Sequence, residues 1–354
     1  MTHALFVGLT TLDVVHGLDH APDPTRKTTS TDHVMCAGGP ATNAAVTFAA
    51  LDRVAARLSA ENPAAAAAEA APSPDPTNAV SLLTAVGTSA IADLIRADLG
   101  ACGLEILDAC APVANNAPEQ APAVCSIIEH PTGRMVASTN ARLDTDADLA
   151  RRLLMQAVAT HGEPDIILVD GHNPALANEA LKWGIDAQTD QQGSDDPFVE
   201  LTAKPPHLRV LDGGSWKPWF TPLLGFIDIA AVSADFCPPL LTEPAPDAVA
   251  EFLKGFGITR IIRTDGEGPV RWWWDGGEGE VPVHAVNAFS TMGAGDIFHG
   301  ALCWALARRT SDARTLTDPS EVIAFAAAIA TQSTTTFGTR VWREDPEIAR
   351  IIAG

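Results

Sequence analysis

Gly293-Ala294-Gly295-Asp296 stands directly before an apolar run, residues 297–307, long enough to form a helix. Small residues let the backbone approach a ligand closely, and the first turn of a helix leaves several N–H groups unpaired. Those groups, together with the aligned peptide dipoles, make a natural seat for a phosphoryl group. A carboxylate at Asp296 would then sit beside the transferring charge. It could take a proton from an attacking hydroxyl while the amides stabilise that charge. Read as a plain turn, the same four residues would only place Asp296 as a helix cap. No GK[ST] follows the glycines and no GxGxxG follows the first strand, so the Walker and dinucleotide patterns are both absent.

Such a turn needs a scaffold, and the rest of the chain supplies one. Apolar strand-like runs occur at residues 4–9, 81–86, 124–129, 166–169, 208–211, 227–232 and 258–262. Helical patterns such as 90–102 and 176–184 lie between most of them. This alternation predicts a mostly parallel sheet covered by helices on both faces. Residues 14–35 and 111–145 differ: VCSIIEH and RMVAST flank a Pro-Thr-Gly turn at 131–133, which predicts a hairpin and a small accessory sheet. Residues 59–77 (Ala- and Pro-rich) and 188–199 read as surface insertions. The Trp run at 272–274 is placed on a strand with its middle ring inward.

Acidic residues outnumber basic ones 44 to 23, a formal charge of −21. That balance excludes a general binder of nucleic acid or anionic membranes, since nothing offsets phosphate charge. The six cysteines stand apart with no CxxC pair. No run reaches the roughly eighteen apolar residues of a membrane-crossing helix, and the start lacks a secretory pattern. A cytoplasmic, soluble protein is expected.

The segment STMGAGDIFHGAL, residues 290–302, resembles the anion-hole and base motif of the ribokinase-like, PfkB-type carbohydrate kinases. AGGPATNAA at 37–45 is similar to that family's sugar-contacting glycine-asparagine motif. GLTTLDVV at 8–15, TDGEG at 264–268 and AFAAAIATQSTTTFGTR at 324–340 match further family elements in the right order. The resemblance covers essentially the whole chain, residues 1–354, as one domain. It implies a three-layer α/β/α fold with a mostly parallel central sheet and a small β lid formed by about 14–35 and 111–145. It implies transfer of the γ-phosphoryl group of ATP, with Mg2+, to a hydroxyl of a sugar or related polyol. Asp296 would be the general base, with Gly293, Ala294 and Gly295 forming the anion hole. Asp13, Gly38, Gly39 and Asn43 would hold the acceptor; a carboxylate and an amide suit vicinal hydroxyls. Arg142 and Asp170 are further acceptor-side candidates, the latter at a strand's carboxyl end, where open sheets bind ligands. His172, Asn173 and Asp212 share that edge.

Thr264, Gly266, Ser333 and Gly338 fall on the nucleotide side of the resemblance. Asp235 is the carboxylate nearest the family's metal segment, although Ser233 and Phe236 replace the key residues of its Asn-x-x-Glu pattern. Ser290 stands where aspartate is common near a monovalent-cation site, which leaves potassium dependence open. Lid sheets pair between subunits in many members, so a homodimer is expected. A nucleoside kinase of the same fold is the nearest rival, but residues 14–35 hold no Phe, Trp or Tyr to clamp a base. A non-catalytic sugar-binding regulator would have no use for an acid at the anion hole. A reductase or synthase on a dinucleotide fold lacks its fingerprint.

Overall fold

The computed structural model describes residues 2–23, 25–61, 79–112, 120–184, 207–308 and 313–354. The expected insertion at 188–199 lies outside the described residues. Of 59–77, only 59–61 are described, and they close the first helix. In chain order the strands are β1 (His3–Val7), β2 (Thr11–Gly17), β3 (Asp32–Gly38), β4 (Ala79–Thr84), β5 (Glu105–Asp108), β6 (Ala123–His130) and β7 (Gly133–Ser138). They continue with β8 (Ile166–Val169), β9 (Leu208–Gly213), β10 (Ile229–Ser233), β11 (Arg260–Thr264), β12 (Val270–Trp274) and β13 (Gly277–Val281). The helices are α1 (Pro40–Glu61), α2 (Ala90–Ala101), α3 (Ala147–His161), α4 (Pro174–Lys182), the short α5 (Thr221–Leu224), α6 (Pro246–Lys254), α7 (Ala294–Arg308), α8 (Ser320–Ser333) and α9 (Pro346–Ala353).

The large sheet runs β13-β12-β11-β10-β9-β8-β1-β4-β5, with every strand in one direction except β12. Its inner strands are continuous apolar runs because both faces are covered. Side chains alternate between those faces: Ala4 and Phe6 join one apolar cluster with α1, α7 and α8, while Leu5 and Val7 join the other with α3, α4 and α6. The same alternation governs the Trp run. Trp272 and Trp274 enter one cluster and Trp273 the other, so all three rings are buried.

From β1 the chain builds outward to β4 and β5, then returns to β8 and builds the other way. The switch point thus lies between β1 and β8, where open α/β sheets form their ligand crevice. A second sheet, β3-β2-β6-β7, comes from the two segments set apart in the sequence, with β6 and β7 paired as the expected hairpin.

One close approach sets the site's dimensions. A Cβ on Gly300 would lie 2.3 Å from Ala44 O and 2.7 Å from Thr47 Cβ. Glycine there lets α7 press onto α1, which brings the first turn of one helix against the first turn of the other.

Candidate active site

Asp296 lies in the first turn of α7, and its Oδ2 accepts a hydrogen bond from Asn43 Nδ2 at 2.8 Å. The two residues are separated by 253 positions. Gly293 reaches a left-handed φ of 70°, and a Cβ there would also meet Thr339 Cγ2 at 2.7 Å. Ile297 N donates to Gly293 O at 2.8 Å, forming the first full helical bond. The N–H groups of Gly295 and Asp296 therefore precede any intrahelical acceptor. A Cβ built on Gly295 meets nothing within 4 Å, so open space lies beside that turn. Ala294 N donates to Thr291 O at 3.4 Å, so the N–H groups of Gly295 and Asp296 are the ones open to an anion at this turn.

Loss of water around the Asp296 carboxyl, reinforced by repulsion from Asp212, pushes its pKa up to about 7. The hydrogen bond from Asn43 and the proximity of His299 pull the other way, while Asp170 adds to the rise. A carboxyl poised near neutrality suits a general base. One turn further along α7, His299 Nδ1 lies 3.2 Å from Asp212 Oδ2, and Nε2 lies 3.2 Å from Ala231 O. Both residues are buried. Burial works against charge on the ring, yet Asp212 and Asp296 hold its pKa above the ordinary value. Asp212, singled out only as a strand-end carboxylate, thus holds a buried imidazole one turn beyond Asp296.

On the acceptor side, Gly39 has φ 101°, and a Cβ there would lie 2.2 Å from Leu9 O. A Cβ on Gly38 would coincide with the Asp13 carboxylate, 2.0 Å from Oδ2. The two glycines thereby let β3 turn into α1 beside Asp13. Asp13 accepts from Thr11 Oγ1 at 2.7 Å, and burial raises its pKa. Arg142 is exposed and donates from Nη1 to His172 O at 3.3 Å. A small cavity next to it is lined by Leu9, Thr10, Ala123, Arg142, Leu143 and Asn173.

Asp170 has a different setting from the one its sequence position suggested. Its side chain is buried and accepts from three backbone N–H groups: Leu9 at 2.9 Å, Ala41 at 3.1 Å and His172 at 2.8 Å. It ties the ends of β1 and β8 to the start of α1.

The nucleotide-side candidates are dispersed. Thr264 ends β11 in register with Ser233 of β10, and Gly266 sits in the following turn with φ 54°. Ser333 is buried, its hydroxyl donating to Ala330 O at 2.7 Å. Gly338 packs against β3, where an added Cβ would lie 3.0 Å from Val34 Cγ1. Asp235 is exposed, and Phe236 is buried among Trp216 and Phe220. Among the described residues, no group of three or more His, Cys, Asp or Glu side chains is placed to hold a metal. No Mg2+ cage of three or more described side chains is formed, and no step is assigned to a metal.

Sequence reading does not single out His299 or Arg340. The only sequence signals are the i, i+3 spacing of His299 from Asp296 and one basic residue closing TTTFGTR. Arg340 is buried and donates from Nη1 to Asn43 Oδ1 at 3.1 Å.

Residues 227–345 match the family model of the pfkB family carbohydrate kinases. The fold is shared along the whole chain with solved structures. Ribokinase from Giardia lamblia is 16% identical with a TM-score of 0.68, covering 99% of each chain. Fructokinase with bound ATP from Xylella fastidiosa is 18% identical with a TM-score of 0.66, covering 99% of this chain and 98% of its own. Ribokinase from Thermotoga maritima is 18% identical with a TM-score of 0.61, covering 100% of this chain and 99% of its own. The sequence match to the pfkB family model spans the C-terminal third of the chain, and over its full length the chain shares the fold of these ribokinase and fructokinase structures.

Proposed function

We propose that this protein transfers the γ-phosphoryl group of ATP to a hydroxyl of a sugar or related polyol. The observation that carries the reading is the Asp296 carboxylate, bonded by Asn43 and held near neutrality, in the first turn of α7 beside unpaired N–H groups. Asp296 takes the proton of the acceptor hydroxyl through the oxygen not bonded to Asn43. The N–H groups of Gly295 and Asp296 receive the charge that develops on the phosphoryl oxygens. Asn43 and Asp13 orient the acceptor, with Arg142 at the mouth of the adjoining cavity. Thr264 and Gly266 form the nucleotide-side turn, with Ser333 and Gly338 shaping the helix and loop behind it. A Mg2+ ion carried with the nucleotide would supply neutralisation of phosphate charge, with Asp235 the nearest candidate carboxylate.

The small sheet serves as a lid that shields the acceptor from water. Its edge strand β7 is exposed along its length, and Met35, Met135 and Val136 are exposed apolar side chains of the same sheet. Such a surface supports pairing with a second copy. Among the described residues no helix is long and apolar enough to cross a membrane.

An ATP-consumption screen against sugars, sugar phosphates, polyols and nucleosides tests this function. Turnover with a sugar or polyol is the expected result. Turnover confined to nucleosides would replace the acceptor class, and sugar binding without turnover would make the protein a regulator.

A further inference from the structure

We infer that Arg340 is a positioning residue that fixes which end of the Asn43 amide faces Asp296; the inference rests on the reading of Asp296 as base. The Arg340 guanidinium is buried and spans three elements. Nη1 donates to Asn43 Oδ1 at 3.1 Å and to Thr339 Oγ1 at 3.0 Å. Nη2 donates to Ala37 O and, at 3.2 Å, to Asp98 Oδ2. Asp98 Oδ2 also accepts from Ala37 N at 2.9 Å, which locks the far side of the fork to α2 and β3.

The chemistry of the three groups leaves one arrangement. A guanidinium has donors only, an ionised carboxylate has acceptors only, and a primary amide has one end of each kind. Asn43 bridges the first two, so its oxygen must face Arg340 and its NH2 must face Asp296. The second N–H of that NH2 and the second oxygen of Asp296 are then left for an acceptor hydroxyl. Without the fixed fork the amide could turn over and set its carbonyl oxygen against the carboxylate. That arrangement repels the ionised base and raises its affinity for a proton.

Other charges around the two ends do not substitute for this contact. Asp296 is faced by Asp212 at the end of β9, His299 on α7 and Asp170 beyond β8. Arg340 is faced by Asp98 on α2, Cys36 on β3, Cys102 after α2 and Asp13 on β2. Arg340→Lys keeps the cation among these groups and removes the planar fork, so it separates orientation from simple charge.

The test is a direct NMR titration of the Asp296 carboxyl in protein carrying 13C-labelled aspartate. The signal is assigned by its loss in Asp296→Asn, and no acceptor or ATP is needed. Arg340→Lys is expected to raise the Asp296 pKa by about one unit, tenfold in proton affinity. Asn43→Leu should raise it similarly, and Arg340→Lys placed on Asn43→Leu should add less than about twofold. An unshifted carboxyl in Arg340→Lys, or equal shifts in both backgrounds, would overturn the inference. Should Arg340→Lys not fold, Asp98→Asn loosens the far side of the fork. It should shift the carboxyl in the same direction by less, and no shift would count equally against the role. Failure here leaves Asp296 as base intact, since that assignment stands on the turnover of Asp296→Asn.

Discussion

Ser290 donates its hydroxyl to both carboxylate oxygens of Glu129, at 2.7 and 2.9 Å, across 161 positions of sequence. Glu129 belongs to β6 of the small sheet, whereas Ser290 lies on the loop that leads into α7. Both are buried, so the pair stitches the small sheet to the start of α7.

Removing the hydroxyl leaves a buried carboxylate without this donor. Ser290→Ala should therefore lower stability by about 1–3 kcal/mol, read by chemical denaturation. Glu129→Gln, which can still accept, should cost less. Equal stability of Ser290→Ala and the parent would show that the link carries no weight.

Asp170 illustrates what sequence position can and cannot say. Its place at a strand's carboxyl end suggested contact with the acceptor, yet three backbone N–H groups occupy its carboxylate. Asp170→Ala should cost about 3 kcal/mol or more, because each abandoned buried donor carries about 1 kcal/mol or more. Denaturation midpoints should fall while the acceptor KM of the folded fraction changes little. A large KM effect with unchanged stability would return Asp170 to the acceptor site.

Much of the fold is legible in the residues themselves. Residues 166–169 form β8 as expected, and the hairpin around Pro131-Thr132-Gly133 follows from alternation on either side of a turn. The cradle at 293–296 is visible because helix starts and glycines carry local rules. The contacts that tune the cradle are different in kind. Asn43 with Asp296, Ser290 with Glu129 and Arg340 with Asn43 join residues far apart in sequence, and no local period announces them. The middle ring of Trp272–Trp274 faces inward as expected. With two covered faces, alternation buries every ring.

The pH response follows from the direction of the Asp296 shift. Catalysis requires the ionised carboxylate, so turnover should rise with pH through about 7. Stability moves the opposite way. The folded carboxyl holds its proton up to about 7 against an ordinary 3.8, so its contribution is largest at low pH and is lost as pH rises between those values. Asp296→Asn should accordingly become more stable relative to the parent from pH 4 to pH 7. Thermal denaturation at several pH values reads this, and a relative stability independent of pH would refute the shift.

The central claim is that Asp296 removes the proton from the acceptor hydroxyl. Phosphoryl transfer by Asp296→Asn, measured with the acceptor found in the screen and alongside ATP and acceptor binding titrations, tests it most directly. The expected result is a fall in turnover of about 10²–10⁴-fold with both ligands bound within a few-fold of the parent. Turnover equal to the parent's would remove Asp296 from the reaction and take the kinase mechanism described here with it.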